Sequence, residues 1–420
     1  MPQPRPRIPH LEVLRLVPMV GVVATHTLMF TQPAESLGSN GVLIFLHANR
    51  EIFFFVSAFV LVYSSSELSG RAEVTRFWRR RYPLVLVPYL AWTFIYWLQV
   101  GGLPWPRGQA LQQLVVNLTT GWFHLYFLLV TMQLYLAFPL LAWLIRRTAG
   151  HHWLLLVGSL TMQMAVTALM QYAWGWVPGW FQGWLGQAQI EGTSYQLYFI
   201  AGGLAAAHVA EVIAWLQSHR RASLLGAVAA VAAVCLTYGL NVRFGRTVQG
   251  AANVFQPAVT LAVAAGLVFL FWAADALATR YPADGRTWRA VLTVSRASFG
   301  VYLGHMVVLQ LLVLTPAAAM IGVAGLPAPL RAIAVLTIVL AITLAAVLLV
   351  QTTPLSAALT GRRRVRAPAP RNRLLGSAPR LPAWTPTVSA SPPERTGRPQ
   401  RRGAGPRDGG DPIFVMEVQT

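Results

Sequence analysis

The sequence predicts an all-α, polytopic membrane protein of about ten transmembrane helices, and three observations carry that prediction. Of 420 residues, 55% are hydrophobic and only 11% charged, with a mean hydropathy of +0.52; no soluble domain of this size has that balance. The apolar residues fall into stretches of about 18 to 23, the length a helix needs to cross a bilayer core of about 30 Å. The connections between them alternate in arginine content, as a multi-pass chain obeying the positive-inside rule requires.

The ten stretches lie near Leu11–Phe30, Val42–Tyr63, Pro83–Val100, Trp122–Leu144, Trp153–Trp174, Tyr195–Leu216, Ala222–Leu240, Pro257–Leu277, Ala297–Leu314 and Leu330–Val350. Arginines precede the first (Arg5, Arg7) and fill every second connection: Arg71 to Arg81, Arg146 and Arg147, Arg220 and Arg221, then Arg280, Arg286, Arg289 and Arg296. The alternate connections hold few, namely Arg107, Arg243 and Arg246, with Arg331 at a helix edge. This places both termini in the cytoplasm and the protein in the plasma membrane.

All 33 basic residues are arginine and the formal charge is +20. In a soluble protein that would suggest nucleic acid. Here topology and anionic membrane lipids explain it, and no nucleic-acid partner is expected. Cys235 is the single cysteine, so no internal disulfide can form. Residues 1–10 read as a short cytoplasmic segment. The apolar run that follows is too long for a cleaved signal and carries Arg15 and His26, so it reads as a retained anchor. Residues 11–350 form the membrane domain. Residues 361–420 are rich in Arg, Pro, Gly and Ser, and bury too little apolar surface to fold, so a disordered cytoplasmic tail is expected.

Arg15 and His26 share a face of the first segment. Eleven residues at about 100° each bring them within about 20° of one direction, roughly 16 Å apart along the axis. Ionisable groups at such depth are costly and mark function by default. The bland alternative is an arginine snorkelling to the cytoplasmic surface and a histidine bonded to a neighbouring helix. In the second segment, His47 and Glu51 are four apart on one face, with Arg50 beside them. Glu51 could fix the His26 tautomer and leave the other ring nitrogen free as a base. A purely structural Glu51–Arg50 or Glu51–His47 pair is the competing reading.

The cluster Arg79, Arg80, Arg81 at the start of the third segment suits phosphate, which guanidinium groups bind bidentately. It also serves as a topology anchor. Further polar side chains in apolar surroundings are His124, Tyr126, Gln133 and Tyr135 on the fourth segment, and Ser298, Tyr302 and His305 on the ninth. Each alone is weak, because single polar groups often just bond another helix. The connection WGWVPGWFQGWLGQAQIEG holds Trp174, Trp176, Trp180 and Trp184. It reads either as an interfacial aromatic belt or as a lid that stacks on sugars.

In order, these pieces resemble the integral-membrane acyltransferase family (acyltransferase 3 type, membrane-only form). The resemblance rests on IPHLEVLRLVPMVGVVATH with its Arg–His pair, REIFFFVSAF with an acidic residue, phenylalanines and Ser57, FWRRRYPLVLVPYLAW, HLYFLLVTMQLYLAFPLL and SFGVYLGH. Departures are Leu84 where the family commonly has arginine, Ala58 where glycine is usual, and Thr131 and Met132 at often acidic places.

The resemblance implies transfer of an acyl group, typically acetyl, from a cytoplasmic acyl-CoA to a hydroxyl of an envelope carbohydrate or lipid-linked acceptor. His26 is then the base, Glu51 its orienting partner and Arg15 a donor-route residue. Arg79, Arg80 and Arg81 would gather the donor phosphates. His47, Ser57, His124, Tyr126, Gln133, Tyr302 and His305 would contact substrate. No resident cofactor or metal is expected. An exporter of polysaccharide or of a lipid-linked intermediate is the alternative, since it too needs buried polar groups and many spans.

Overall fold

A computed structural model describes residues 10–64, 70–100, 107–282 and 285–364. Its elements in chain order are α1 (His10–Thr31), α2 (Leu37–Ser64), α3 (Arg71–Arg81), α4 (Pro83–Gln99), α5 (Arg107–Thr120), α6 (Tyr126–Arg147), α7 (His152–Tyr172), α8 (Gly179–Leu185) and α9 (Gln196–Ala207). The order continues with α10 (Val209–Ser218), α11 (Arg220–Arg243), α12 (Val248–Ala251), α13 (Pro257–Arg280), α14 (Arg286–Leu314), α15 (Ala317–Met320), α16 (Ala328–Val350) and α17 (Ser356–Thr360). Among the described residues there is no strand. The expected tail beyond Arg364 lies outside them.

Among the described residues, eight helices are long and apolar enough to cross a membrane: α1, α2, α6, α7, α11, α13, α14 and α16. The third expected segment is α4, whose 17 residues reach about 25 Å. The sixth, expected as one span over Tyr195–Leu216, is not one helix. It breaks at His208 into α9 and α10, which meet at 89°. His152 reaches this elbow, its Nδ1 2.7 Å from His208 Nε2 while its Nε2 donates to the Ile145 carbonyl at 2.7 Å. A second correction concerns Arg286, Arg289 and Arg296. The sequence places them in a connection, but all three lie on α14, which begins eleven residues before the apolar run at Ala297.

α7 shows how the sequence builds an inside-out surface. Its exposed side carries Trp153, Leu154, Val157 and Met162, suited to lipid tails. Its buried residues are all polar, Ser159, Gln163, Thr167 and Gln171, spaced four apart on one face. Three of these residues tie α7 to later parts of the chain. Gln163 donates to the Ser194 carbonyl at 3.2 Å, Gln171 to the Gly250 carbonyl at 3.0 Å, and Ser159 to Gln196 Oε1 at 2.6 Å.

The chain after α7 therefore descends beside the stripe before α9 begins. Gln163 sits about 13 Å along the axis from Tyr172, at about 1.5 Å per residue. Irregular backbone survives at such depth only where protein groups satisfy it. The twelve residues of α9 reach about 18 Å, less than the bilayer core. α9 packs closely on α2: a Cβ added at Gly202 would lie 2.1 Å from the Phe55 carbonyl oxygen.

The apolar core sits where α1, α2, α6, α9, α13 and α14 meet. It is filled by Ile44, Phe54, Leu61, Leu128, Phe138, Leu303, Met306 and Leu309, all fully or almost fully buried. α1 lies between α2 and α14, which carries its polar face into the middle of the bundle.

Candidate active site

Two cavities open along that polar face. The first, about 290 Å³, lies toward the C-terminal half of α1 and is lined by His26, His47, Asn49, Arg50, Phe123, His124, Tyr126 and Tyr302. That volume is near the lower end of small-molecule sites, about 300–1,000 Å³. The second, about 280 Å³, lies toward the arginine-rich face and is lined by Arg15, Ser57, Arg81, Tyr135, Ser295 and Arg362 among others. Phe53, Phe127, Ser298 and Phe299 belong to both linings. One thin wall separates two chambers that approach from opposite sides.

His26 stands on the first chamber, and its partner is not the one the sequence suggested. Its Nδ1 lies 2.7 Å from Nε2 of His305, and the two rings are parallel within 3°. Nδ1 of His305 lies 2.6 Å from the Tyr302 carbonyl oxygen. A carbonyl can only accept, so His305 carries its proton on Nδ1 and presents a bare Nε2. His26 must then donate from Nδ1, which leaves its Nε2 lone pair free. The side chain of His26 keeps partial exposure, whereas His305 has none. An imidazole with a fixed tautomer and an open nitrogen is the result.

Glu51 does not reach this pair. Its Oε1 accepts from Nε of Arg50 at 3.0 Å and from Nη2 of the same guanidinium. Glu51 lines neither chamber. Arg50 does line the first, and donates from Nη1 to the Tyr126 hydroxyl at 3.3 Å. Its guanidinium carbon rests 4.8 Å from the ring centre of Tyr195 and 5.2 Å from that of Phe255. Aromatic faces on a cation compensate part of its lost hydration. The acid thus fixes the arginine, and the arginine faces the chamber.

The acyltransferase-3 family model, described as an acyltransferase domain, matches residues 8–350. The chain belongs to the acyltransferase-3 family. It is a multi-pass membrane acyltransferase. No match was found among curated proteins or among solved structures.

The fold distributes the remaining sequence-derived residues of this acyltransferase unevenly. His124 and Tyr126 reach the first chamber from the lead-in to α6, and Tyr302 from α14. Tyr302 donates its hydroxyl to the His124 carbonyl. The His124 ring centre is 5.8 Å from that of His26 and 4.9 Å from that of His305. His47 lines the first chamber and also a neighbouring depression with Gln32, Asn40, Gln249 and Asn253. Arg15 and Ser57 line the second chamber. Arg15 is 4.0 Å from Glu12, whose other oxygen accepts from Ser295 at 2.6 Å. Of the arginine cluster, Arg81 alone reaches the second chamber, while Arg79 and Arg80 are exposed on α3 and line neither chamber.

Gln133, expected to contact substrate, is bonded to the backbone of the descending connection. It lines neither chamber. Its amide donates to the Ile190 carbonyl at 2.7 Å and accepts from the Gly192 N–H at 2.8 Å, holding the descending connection. That connection places Gln189 on the first chamber, but none of its four tryptophans lines it. Trp176 and Trp180 are 88% and 80% exposed, as an interfacial belt would be.

Strain marks the same chamber. Gly121 has φ +75°, and Phe123 has φ 44°, a left-handed conformation that non-glycine residues rarely hold outside functional sites. The Phe123 ring lies 4.9 Å from that of His26. The sequence signal for this turn is the Gly121–Trp122–Phe123–His124 junction before α6, where the apolar pattern predicts the start of a span. Arg50 and Arg362 were also missed as chamber residues. Arg50 was visible as a charge inside an apolar run. Arg362 lies among the arginines of the expected tail with nothing to distinguish it. Among the described residues no group of three or more His, Cys, Asp or Glu side chains could hold a metal.

Proposed function

We propose that this acyltransferase moves an acyl group, acetyl first among candidates, from a cytoplasmic acyl-CoA to a hydroxyl of an envelope carbohydrate or lipid-linked acceptor. The donor approaches from the arginine-rich face through the second chamber, past Arg15 and Arg81. The acceptor enters the first chamber from the opposite side. The arginine-rich face is the cytoplasmic one, which puts both termini inside and the protein in the plasma membrane. The observation that carries this reading is the free Nε2 of His26, placed on one chamber by the His305–Tyr302 relay, next to the wall shared with the other.

In the reaction, Nε2 of His26 takes the hydroxyl proton as the acceptor oxygen bonds to the thioester carbon. Positive charge on His26 is then shared through Nδ1–H with the neutral ring of His305, a charge-assisted bond stronger than the resting one. Arg50 stabilises the oxyanion of the tetrahedral intermediate, a preorganised charge in a water-poor site. Collapse breaks the carbon–sulfur bond, and the thiolate leaves with the proton from His26 as free coenzyme A. The acceptor keeps the acyl group as an ester. Glu51 contributes by neutralising and aiming Arg50 rather than by touching His26.

The test is turnover in nanodiscs with radiolabelled acetyl-CoA and a glycolipid fraction from the cell envelope. The proposal requires label in the acceptor and its loss in His26→Ala. Passage of the acceptor across a proteoliposome bilayer with no acyl transfer would support the exporter instead.

A further inference from the structure

Three guanidinium groups from distant parts of the chain line the second chamber: Arg15 on α1, Arg81 on α3, and Arg362 just beyond α17. No carboxylate lines it. Arg362 belongs to a segment after the last span that folds back under the bundle. The Leu359 carbonyl accepts from the Trp92 indole at 3.0 Å, and the Arg362 carbonyl accepts from Ser356 at 2.8 Å. Gly361 is pressed between the Phe299 ring and the Leu84 backbone, since a Cβ there would lie 2.6 Å from one and 3.1 Å from the other. This anchoring fixes where the next side chain points. Partial desolvation, then the charges of Arg15 and Arg296, push the Arg362 guanidinium below its ordinary range, with Glu12 opposing. Cations gathered against one another in a recess make a site for an anion.

We propose that Arg362 completes a three-arginine clamp with Arg15 and Arg81 for the phosphates of the acyl donor's nucleotide, so that the segment after the last span is part of the donor site. The inference rests on the donor assignment proposed above. It goes further by giving a binding role to a residue beyond the last apolar segment. Coenzyme A presents a diphosphate and a 3′-phosphate on a nucleoside, and three separately anchored forks can divide such a group bidentately. An anionic lipid headgroup offers the same chemistry, so the test must tell the two apart.

The probe is coenzyme A itself, its binding measured by calorimetry on the full chain in phosphatidylcholine nanodiscs, with acetyl-CoA kinetics alongside. Arg362→Gln is expected to weaken binding about 10- to 100-fold, the range for losing hydrogen bonds between charged groups. KM for acetyl-CoA should rise in step while kcat stays within about twofold. Arg362→Lys should recover part of the affinity, which a folding defect would not allow. Arg363→Gln should bind as the wild type does. Equal binding by the wild type and Arg362→Gln overturns the inference and leaves the proposed function standing. A defect that emerges only when phosphatidylglycerol is added assigns Arg362 to a headgroup and also overturns it. A wild type that binds no coenzyme A removes both.

Discussion

His26 and His305, 279 positions apart in the chain, meet nitrogen to nitrogen at 2.7 Å. The Tyr302 carbonyl behind His305 makes this contact directional: protons point away from the chamber, and the lone pair points into it. In many hydrolases a carboxylate does this work. Here a neutral imidazole does it, at less cost within hydrocarbon depth than a second buried charge.

That relay distinguishes two substitutions at one position. His305→Leu removes the acceptor for His26 Nδ1 and frees the tautomer, so kcat should fall about 10- to 100-fold with KM for donor and acceptor little changed. His305→Gln offers an amide oxygen that can still accept, and should retain more of the rate. Steady-state kinetics on both variants decides the matter. Equal activity of the two would mean that His305 only fills space.

The Arg50–Glu51 pair makes a prediction about stability. Arg50→Met leaves the Glu51 carboxylate buried without its cation, a loss of about 3–5 kcal/mol. Adding Glu51→Gln removes the stranded charge and should restore much of the thermal stability in detergent. Simple additivity of the two single changes would show that the pair is not coupled.

The α7 stripe predicts a separation of stability from chemistry. Gln163→Leu leaves the Ser194 carbonyl without its donor, and should cost about 1–2 kcal/mol, the upper range for hydrogen bonds between membrane helices. Thermal unfolding of purified protein reads this directly. Transfer by the folded fraction at low temperature should remain near the wild-type rate, because the stripe holds backbone and lines neither chamber.

Gly121→Ala should do the opposite. Its Cβ would lie 2.3 Å from the Tyr126 backbone at a φ of +75°, which forces the turn carrying Phe123 and His124 to rearrange. Transfer is expected to fall at least tenfold while helix content by circular dichroism holds. Full activity would show that the strained turn is dispensable.

Much of the fold was legible because hydrocarbon imposes a length and a polarity on every span. Arg15 and His26 were legible for the same reason, since charge or potential charge at depth stands out against leucine and valine. What resisted reading was anything requiring knowledge of where a helix stops being straight. The apolar run of α9 and α10 looks continuous in sequence, yet His208 takes the His152 bond at an elbow. The polar stripe of Ser159, Gln163, Thr167 and Gln171 was a readable period of four that went unused, because each residue alone is unremarkable in a span.

The site was legible residue by residue but not by pairing. His26, Glu51 and His305 were all singled out, whereas only coordinates show that His26 chooses His305 and that Glu51 chooses Arg50. Helical periodicity tells which side chains share a face, not which helix that face meets. Gln133 was singled out for its polarity, and its polarity is used, but on the Ile190–Gly192 backbone.

The account turns on the free nitrogen of His26, and the most direct measurement is label transfer from radiolabelled acetyl-CoA to the envelope acceptor by His26→Ala in nanodiscs. A loss of about 10²- to 10⁴-fold in kcat, the usual worth of a positioned base, with coenzyme A still bound as by the wild type, is the expected result. Transfer at the wild-type rate would contradict it.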